Sequence, residues 1–415
     1  MNKQTWIRFR RPLILGLLIS LTASGLTGCW DDRELNELGI VSGTAYDWED
    51  GQWKVTFQIV NPSTTSSNGG SGSGGGSIAP PFLTFTEKGT TAMEAVSHSN
   101  LASTRQLFFA HSRITVINKD VVDKGLAPLL DLFLRKPDAS ETVFVFLTER
   151  KASDVLQQLM QVTKNQGMGI QLMIQQESKL TSYYPGIRMF ELTMALSSES
   201  RCAAVPEIKL TEAEVMDKVD ETMITDLPSR IALGRLGVLK QDRFVGWLGT
   251  KEAFGLTFLR NRIQSASIPF PSDPRQKDTN DSTFSLIESH TSVDPVWEKD
   301  HFVMEISIKG EGMLLEMGGK ADLSKPDELL GFERSIEEQV IGYVNESWKT
   351  VKRLNADVTE FAALIHHKYP KRWKQIQAEG SWDQTFKEIE IRPQVKMNID
   401  RFGLSSKSYK SVEQN

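Results

Sequence analysis

The chain has 415 residues, 39% of them apolar, 24% charged and 8% aromatic, a profile that excludes a polytopic membrane protein, a collagen-like chain and wholesale disorder. Lys and Arg number 48 against 53 Asp and Glu, a formal net charge of −5 with no basic block, so no nucleic-acid partner is expected. Cys29 and Cys202 are the two cysteines, too few for a disulfide framework or a Cys-only zinc site.

Residues 1–28 read as an address. Lys3, Arg8, Arg10 and Arg11 form a basic start with no acidic residue before Asp31, and the apolar run 13–26 follows. That run is too short for a membrane-spanning helix, which needs roughly 20 apolar residues, and matches the core of a secretory signal. Leu26-Thr27-Gly28-Cys29 is a lipobox: an apolar residue, two small ones that suit a narrow peptidase pocket, then the cysteine. The Cys29 thiol would accept a diacylglyceryl group, and cleavage before it would leave a lipidated first residue that can also take an N-acyl chain. Burial contributes about 0.8 kcal/mol per methylene, so one acyl chain anchors marginally and two anchor stably. Loss of 1–28 leaves 44 basic against 53 acidic residues. The expected product is an acidic ectodomain tethered to the outer face of a membrane.

Directly after the lipid site stands Trp30-Asp31-Asp32-Arg33-Glu34-Leu35. A Trp among charges one step from the bilayer points to a docked segment, so Trp30, Asp31, Asp32, Glu34 and Leu35 are the candidate partner contact. Trp53, Val55, Phe57 and Ile59 then alternate with polar residues, predicting a half-buried strand. It ends at Asn61-Pro62 and runs into a Gly/Ser stretch, 63–77, which lacks the Gly-Lys-Ser/Thr of a P-loop and reads as a flexible loop. The spacing predicts a helix over 90–101, a strand over 108–117, helical periods over 122–133 and 152–162, and a strand over 143–148. This alternation gives a mixed α/β domain, 29–198.

Residues 199–270 read as a small middle domain. Gly234-Arg235-Leu236-Gly237-Val238-Leu239 and Phe244-Val245-Gly246-Trp247-Leu248 form its hairpin, and 269–281 is a linker. The last segment, 271–415, alternates Phe302, Met304, Ile306 and Ile308 as a strand. Ile336, Val340, Val344, Trp348, Val351 and Leu354 then recur at helical spacing, from about 326 into the 360s. Ile389, Ile391, Val395, Met397 and Ile399 form a closing strand. The fold class is therefore α+β, a three-domain mixed α/β ectodomain whose last domain is a largely antiparallel sheet with a long amphipathic helix.

The chemistry-bearing residues assemble no enzyme. His366 and His367 are adjacent, point about 100° apart on a helix, and suit a helix C-terminus better than a metal. His111 has Ser112 beside it but no Gly-x-Ser-x-Gly elbow occurs. Gly167-Met168-Gly169 lacks the third glycine of a dinucleotide fingerprint and reads as a turn. With Cys29 acylated, Cys202 has no partner and is expected to be a buried small hydrophobe. No catalytic, metal or cofactor residue is named, beyond the lipid on Cys29.

These residues together resemble the Ger(x)C family, the lipoprotein C subunits of spore germinant receptors. The markers are the lipobox running into Cys29-Trp30-Asp31-x-x-Glu34-Leu35, the alternating strand before the Gly/Ser loop, and Leu107-Phe108-Phe109-Ala110-His111. The Gly234–Leu239 and Gly246–Leu248 motifs and Lys368-Tyr369-Pro370-x-x-Trp373 complete them. Two positions depart: Phe361-Ala362 stands where Phe-Gly is expected, and Arg135-Lys136-Pro137 where Arg-Asp is more usual. The resemblance implies a non-catalytic lipoprotein on the outer face of the inner spore membrane, assembled with A and B receptor subunits and needed for nutrient-triggered germination. It does not imply direct nutrient binding. A solute-binding lipoprotein of an importer and a tethered cell-wall enzyme share the anchor and are the competing readings.

Overall fold

The structure is a computed structural model describing residues 37–61, 80–136, 138–163, 165–212, 214–219, 225, 226, 229–273, 280–401 and 407–409. Its first part holds β1 (Leu38–Glu49), β2 (Gln52–Val60), β3 (Phe82–Gly89), α1 (Ala92–Ala102), β4 (Gln106–Phe108), β5 (Ile114–Asn118), α2 (Lys119–Lys124) and α3 (Ala127–Arg135). There follow β6 (Phe144–Thr148), α4 (Ala152–Gln157), α5 (Gln166–Leu180), β7 (Ile187–Arg188), α6 (Met189–Ser197) and β8 (Cys202–Leu210). Then come β9 (Ile231–Lys240), β10 (Arg243–Leu248), α7 (Thr250–Leu259), β11 (Ala266–Phe270), β12 (Ser282–Glu298) and β13 (His301–Glu316). The chain closes with α8 (Pro326–Leu354), α9 (Phe361–Lys368), α10 (Pro370–Glu379), α11 (Trp382–Glu388) and β14 (Glu390–Arg401).

The strands form two sheets. One runs β10-β9-β8-β6-β5-β1-β2-β3, with β4 on β1 and β7 on β6; the other runs β11-β12-β13-β14. The centre of the first is parallel, β1 to β5 and β5 to β6, and its flanks are antiparallel hairpins. Val145 and Leu147 of β6 face a core shared with α1, α2, α3 and α6, while Phe144 and Phe146 face one shared with α4 and α5. Both faces are therefore covered, which changes the reading of β2. Its alternation holds, but Thr56 and Gln58 are fully buried as well. Gln58 Nε2 donates to Leu156 O at 2.8 Å and to Gln166 Oε1 at 2.9 Å, so the buried amide is satisfied.

Several predicted elements come out divided. The strand over 108–117 is two strands on one neighbour: Ile40 of β1 opposes Phe108 and Gly43 opposes Ile114. The chain between them advances twice as far as β1, so the excess loops out and His111 lies exposed on that loop. The helix over 122–133 is broken at Gly125, whose φ is +116°. The helix over 152–162 stops at Gln157, because Gln158 turns inward, accepts from Met216 N at 3.0 Å and donates to Ser229 O at 3.2 Å. Gly167 and Gly169 form no turn; they open α5, whose cap Asn165 accepts from Met168 N at 3.0 Å.

Segment 199–270, read as a middle domain, has no sheet of its own. β8, β9 and β10 extend the first sheet and β11 pairs with β12 in the second. The 29-residue helix α8 fulfils its 3- and 4-residue spacing, burying Ile336, Val340, Val344 and Val351. It ends at Leu354 because Asn355 takes the left-handed conformation. The helical expectation into the 360s is met by the separate α9, whose N-terminus is capped by buried Asp357 accepting from Phe361 N at 3.0 Å and Ala362 N at 2.8 Å. β12 and β13 are antiparallel, but β14 returns parallel to β13 after the helical connection. The free edge of β14 is covered from α8: Glu337 and Glu333 accept from Met397 N and Ile399 N, each at 3.1 Å.

Candidate functional site

The residues first nominated for function, Cys29, Trp30, Asp31, Asp32, Glu34 and Leu35, lie outside the described residues. What the structure does place is the set of internal motifs. Two of them, the β9–β10 hairpin and Lys368-Tyr369-Pro370-x-x-Trp373, reach the seam between the two sheets and pack in one core with α8, while Leu107–His111 lies against β1 in the first sheet.

The hairpin β9–β10 carries the Gly-Arg-Leu-Gly-Val-Leu and Gly-Trp-Leu motifs into that seam. Arg235 Nε donates to Glu207 Oε2 at 2.8 Å and Nη2 to Oε1 at 2.6 Å, a two-pronged pair with a carboxylate whose side chain is 3% exposed. The same guanidinium lies 2.9 Å from Glu149 Oε2 and stacks 4.3 Å over the Trp247 ring. Trp247 Nε1 donates to Glu149 Oε1 at 2.8 Å, closing the set. Hydrogen bonding to Glu207 holds the Arg235 guanidinium above its ordinary pKa. The motif glycines make room for this. A Cβ on Gly234 would strike the Glu207 carboxylate, one on Gly237 would lie 2.6 Å from Leu147 and 2.9 Å from Trp247, and one on Gly246 would lie 2.6 Å from Leu354 at the end of α8. The motif is a packing device that joins the first sheet to the long helix of the second.

Beside the seam a cleft of about 390 Å³ opens between α6 and the segment after α7. Its walls include Phe190, Met194 and Ala363, and Arg260, Arg262 and Glu360 line its polar side. Arg260 pairs with Glu360, leaving the exposed Arg262 as a cation at the rim. Ser198 Oγ donates to Ala195 O at 2.7 Å and lies 3.1 Å from Ser200 Oγ, while the two carboxylates of this lining are engaged elsewhere, Glu191 by Arg188 N and Glu360 by Arg260. The arrangement can hold a small polar group, and it places no nucleophile against a base.

The other nominated side chains have structural surroundings. Cys202 is buried, its thiol donates to Ser200 O at 3.1 Å, and desolvation pushes its pKa up to about 12. His366, in the last turn of α9, stacks on Trp373 at 5.7 Å, and its Nδ1 lies 2.9 Å from Glu199 Oε1. That hydrogen bond holds Glu199 below the usual carboxylate range. Lys368 pairs with Asp294 at 2.6 Å, Tyr369 packs on Phe302 and Pro370 starts α10, so this motif shapes a helix–helix turn. Among the described residues no group of three or more His, Cys, Asp or Glu is placed to hold a metal, and no helix is long and apolar enough to cross a membrane. Sequence reasoning missed Glu149 and Glu207, the carboxylates that Arg235 meets within the first sheet, because neither lies near Arg235 in the chain.

Comparison with known proteins gives one answer. The family described as spore germination protein N-terminal domain matches residues 31–210, and that described as spore germination B3/GerAC like, C-terminal, matches residues 235–403. Spore germination protein KC of Bacillus subtilis (strain 168) is 23% identical over 406 residues, covering 96% of this chain and 98% of that protein. Spore germination protein B3 of the same strain is 23% identical, covering 92% and 96%. Spore germination protein GerQC of Bacillus cereus is 19% identical, covering 94% and 99%. The crystal structure of the GerBC protein shares the fold with a TM-score of 0.53 at 18% identity, over 89% of this chain and 100% of that one. With both halves matched in order and the fold shared over 89% of its length, the chain belongs to the Ger(x)C family of spore germination proteins.

Proposed function

We propose that this chain is the lipid-anchored C subunit of a spore germinant receptor. Cys29 holds it on the outer face of the inner spore membrane, where it acts with the A and B subunits in nutrient-triggered germination and catalyses no reaction. The observation that carries the reading is a lipobox followed by two germination-protein matches that span 31–210 and 235–403. The internal motifs support a scaffold, since the hairpin packs in one core with α8 and Arg235 is paired with Glu207 and Glu149 inside the first sheet. The chain's offering to partners is then its surface, with Trp30 to Leu35 as the first contact and no cofactor beyond the acyl groups on Cys29. A solute-binding lipoprotein is supported less well. It would be built from two similar α/β lobes, whereas here a large mixed sheet with a parallel centre adjoins a four-stranded one.

The test uses spores that carry Cys29→Ala in a background without other nutrient receptors, with membrane fractionation and affinity capture of the parent protein alongside. The expected result is loss of the variant from the inner membrane and at least a tenfold slower nutrient response. Germination by a receptor-independent trigger should stay normal, and the A and B subunits should co-purify with the parent. A variant that leaves the membrane yet supports the full nutrient response would sink the anchored-receptor reading.

A further inference from the structure

Thirteen large apolar side chains are exposed among the described residues, and four of them, Val162, Met168, Leu172 and Leu180, fall within nineteen residues on α5 and the loop before it. Helix α5 is packed by its other side, through Ile170 and Ile174, so Met168 and Leu172 form an outward stripe at a spacing of four. Their exposures are 48% and 40%, with Val162 at 96% and Leu180 at 62%. The exposed side also carries Gln176 and Lys179 but no carboxylate. The helix's one acidic residue, Glu177, is turned inward, where its Oε1 accepts from Tyr183 N and Tyr184 N. The outward side of α5 is thus apolar and, at most, cationic.

Its place in the fold says what covers it. Gly167 packs directly on Ser42 of β1, and Ile174 lies against Phe144 near Gly186. Gly43, Ile114 and Phe144 share one row of the first sheet, and Ile114 and Phe144 are the first residues of the parallel strands β5 and β6. Helix α5 therefore crosses the sheet at the end where β1 enters. Eight residues separate Cys29 from Leu38, a tether whose steps span at most about 30 Å when fully extended. Exposed Arg113, whose N–H donates to Ser42 O at 2.9 Å, adds a cation at this end.

We infer that α5 is an interfacial helix, with Val162, Met168, Leu172 and Leu180 resting in the headgroup region of the anionic bilayer that carries the Cys29 lipid. The inference rests on the anchored reading above. A few apolar side chains bind a membrane weakly by themselves, but a short tether raises the effective concentration to about millimolar, enough for weak docking to orient the ectodomain.

The test is made on the lipidated full-length protein in phosphatidylglycerol–phosphatidylethanolamine vesicles. An environment-sensitive fluorophore is placed at Leu172→Cys and, as the control at the far end of β1, at Gln52→Cys. Cys29 is acylated and Cys202 is buried, so the new thiol is the one labelled. Vesicle flotation reports anchoring, and quenching by headgroup-region nitroxide lipids reports docking. The expected result is flotation of both proteins with severalfold stronger quenching at 172 than at 52. That quenching should be lost when Met168→Glu is added, with flotation and melting temperature unchanged. Equal, weak quenching at both positions with flotation intact overturns the interfacial helix and leaves the anchor standing. Failure of the parent to float overturns the anchored reading and this inference with it. A label at 172 that stays wet in vesicles and becomes shielded only when other receptor subunits are added assigns the stripe to a protein partner and also refutes the inference.

Discussion

Replacing Arg235 by leucine tests whether the β8–β9–β10 flank of the first sheet is held by its ion pair or by apolar packing alone. The substitution removes two hydrogen bonds of 2.8 and 2.6 Å from Glu207, whose side chain is 3% exposed, and leaves that carboxylate without its counter-charge. Breaking a buried pair from one side costs about 3–5 kcal/mol. Arg235 is itself 35% exposed and shared with Glu149, so water partly screens the pair and the lower end applies, about 3 kcal/mol. With an unfolding entropy of about 2.1 cal/mol/K per residue, a chain of this length shifts by about 1–2 °C for each kcal/mol, a fall in Tm of roughly 3–6 °C. Scanning calorimetry or near-ultraviolet circular dichroism reads it directly. The double variant E207L/R235L removes the orphaned charge and should recover more than half of the loss, since an apolar pair of similar volume is tolerated where a lone charge is not. The reasoning fails if R235L lowers Tm by less than 2 °C, or if the double variant is no more stable than R235L.

Four further outcomes are expected. Gly255→Ala on α7 should destabilise by about 2 kcal/mol or more, because its Cβ would strike the Tyr343 carbonyl of α8. Gly342→Ala, one residue away on α8 and facing open space, should stabilise by roughly 0.5–1 kcal/mol, and paired urea titrations separate the two signs. Cys202, with a thiol pushed up to about 12, should resist alkylation at neutral pH in the folded protein and react fully in urea, as intact-mass spectrometry would show; labelling in the folded state would contradict its burial. Glu49, hydrogen-bonded to Lys151 and Lys54, has its pKa lowered from 4.5 to about 2. Its stabilisation is thus complete above pH 4.5 and lost as pH falls through about 2, so Glu49→Gln should flatten the fall in Tm over that range relative to the parent.

How far the residues alone could be read follows from the range of the forces involved. The period of α8, the pairing of β9 with β10 and the alternation in β2 depend on neighbours a few positions apart, and each is visible in the chain. The proposed lipobox, Leu26-Thr27-Gly28-Cys29, is likewise a reading of neighbouring residues, since a peptidase would recognise it as sequence. Elements whose limits depend on a distant partner were not. The single strand over 108–117 becomes two because β1 offers it too few partners, and the helix after Ala152 ends where Gln158 finds Met216 and Ser229. Gly167-Met168-Gly169 looks like a turn locally but starts a helix that must approach Ser42 closely.

By itself the sequence determined the family, the mixed α/β character, the long helix and the burial of Cys202. The tertiary structure decided that segment 199–270 is shared between two sheets, that Arg235 meets Glu149 and Glu207, and that an apolar side of α5 stands outward at the end where β1 enters. Local periodicity sets which face of an element is apolar. Which surface covers that face, and which buried charge finds a partner, is set by contacts between residues far apart in the chain, and those exist only once the chain has folded.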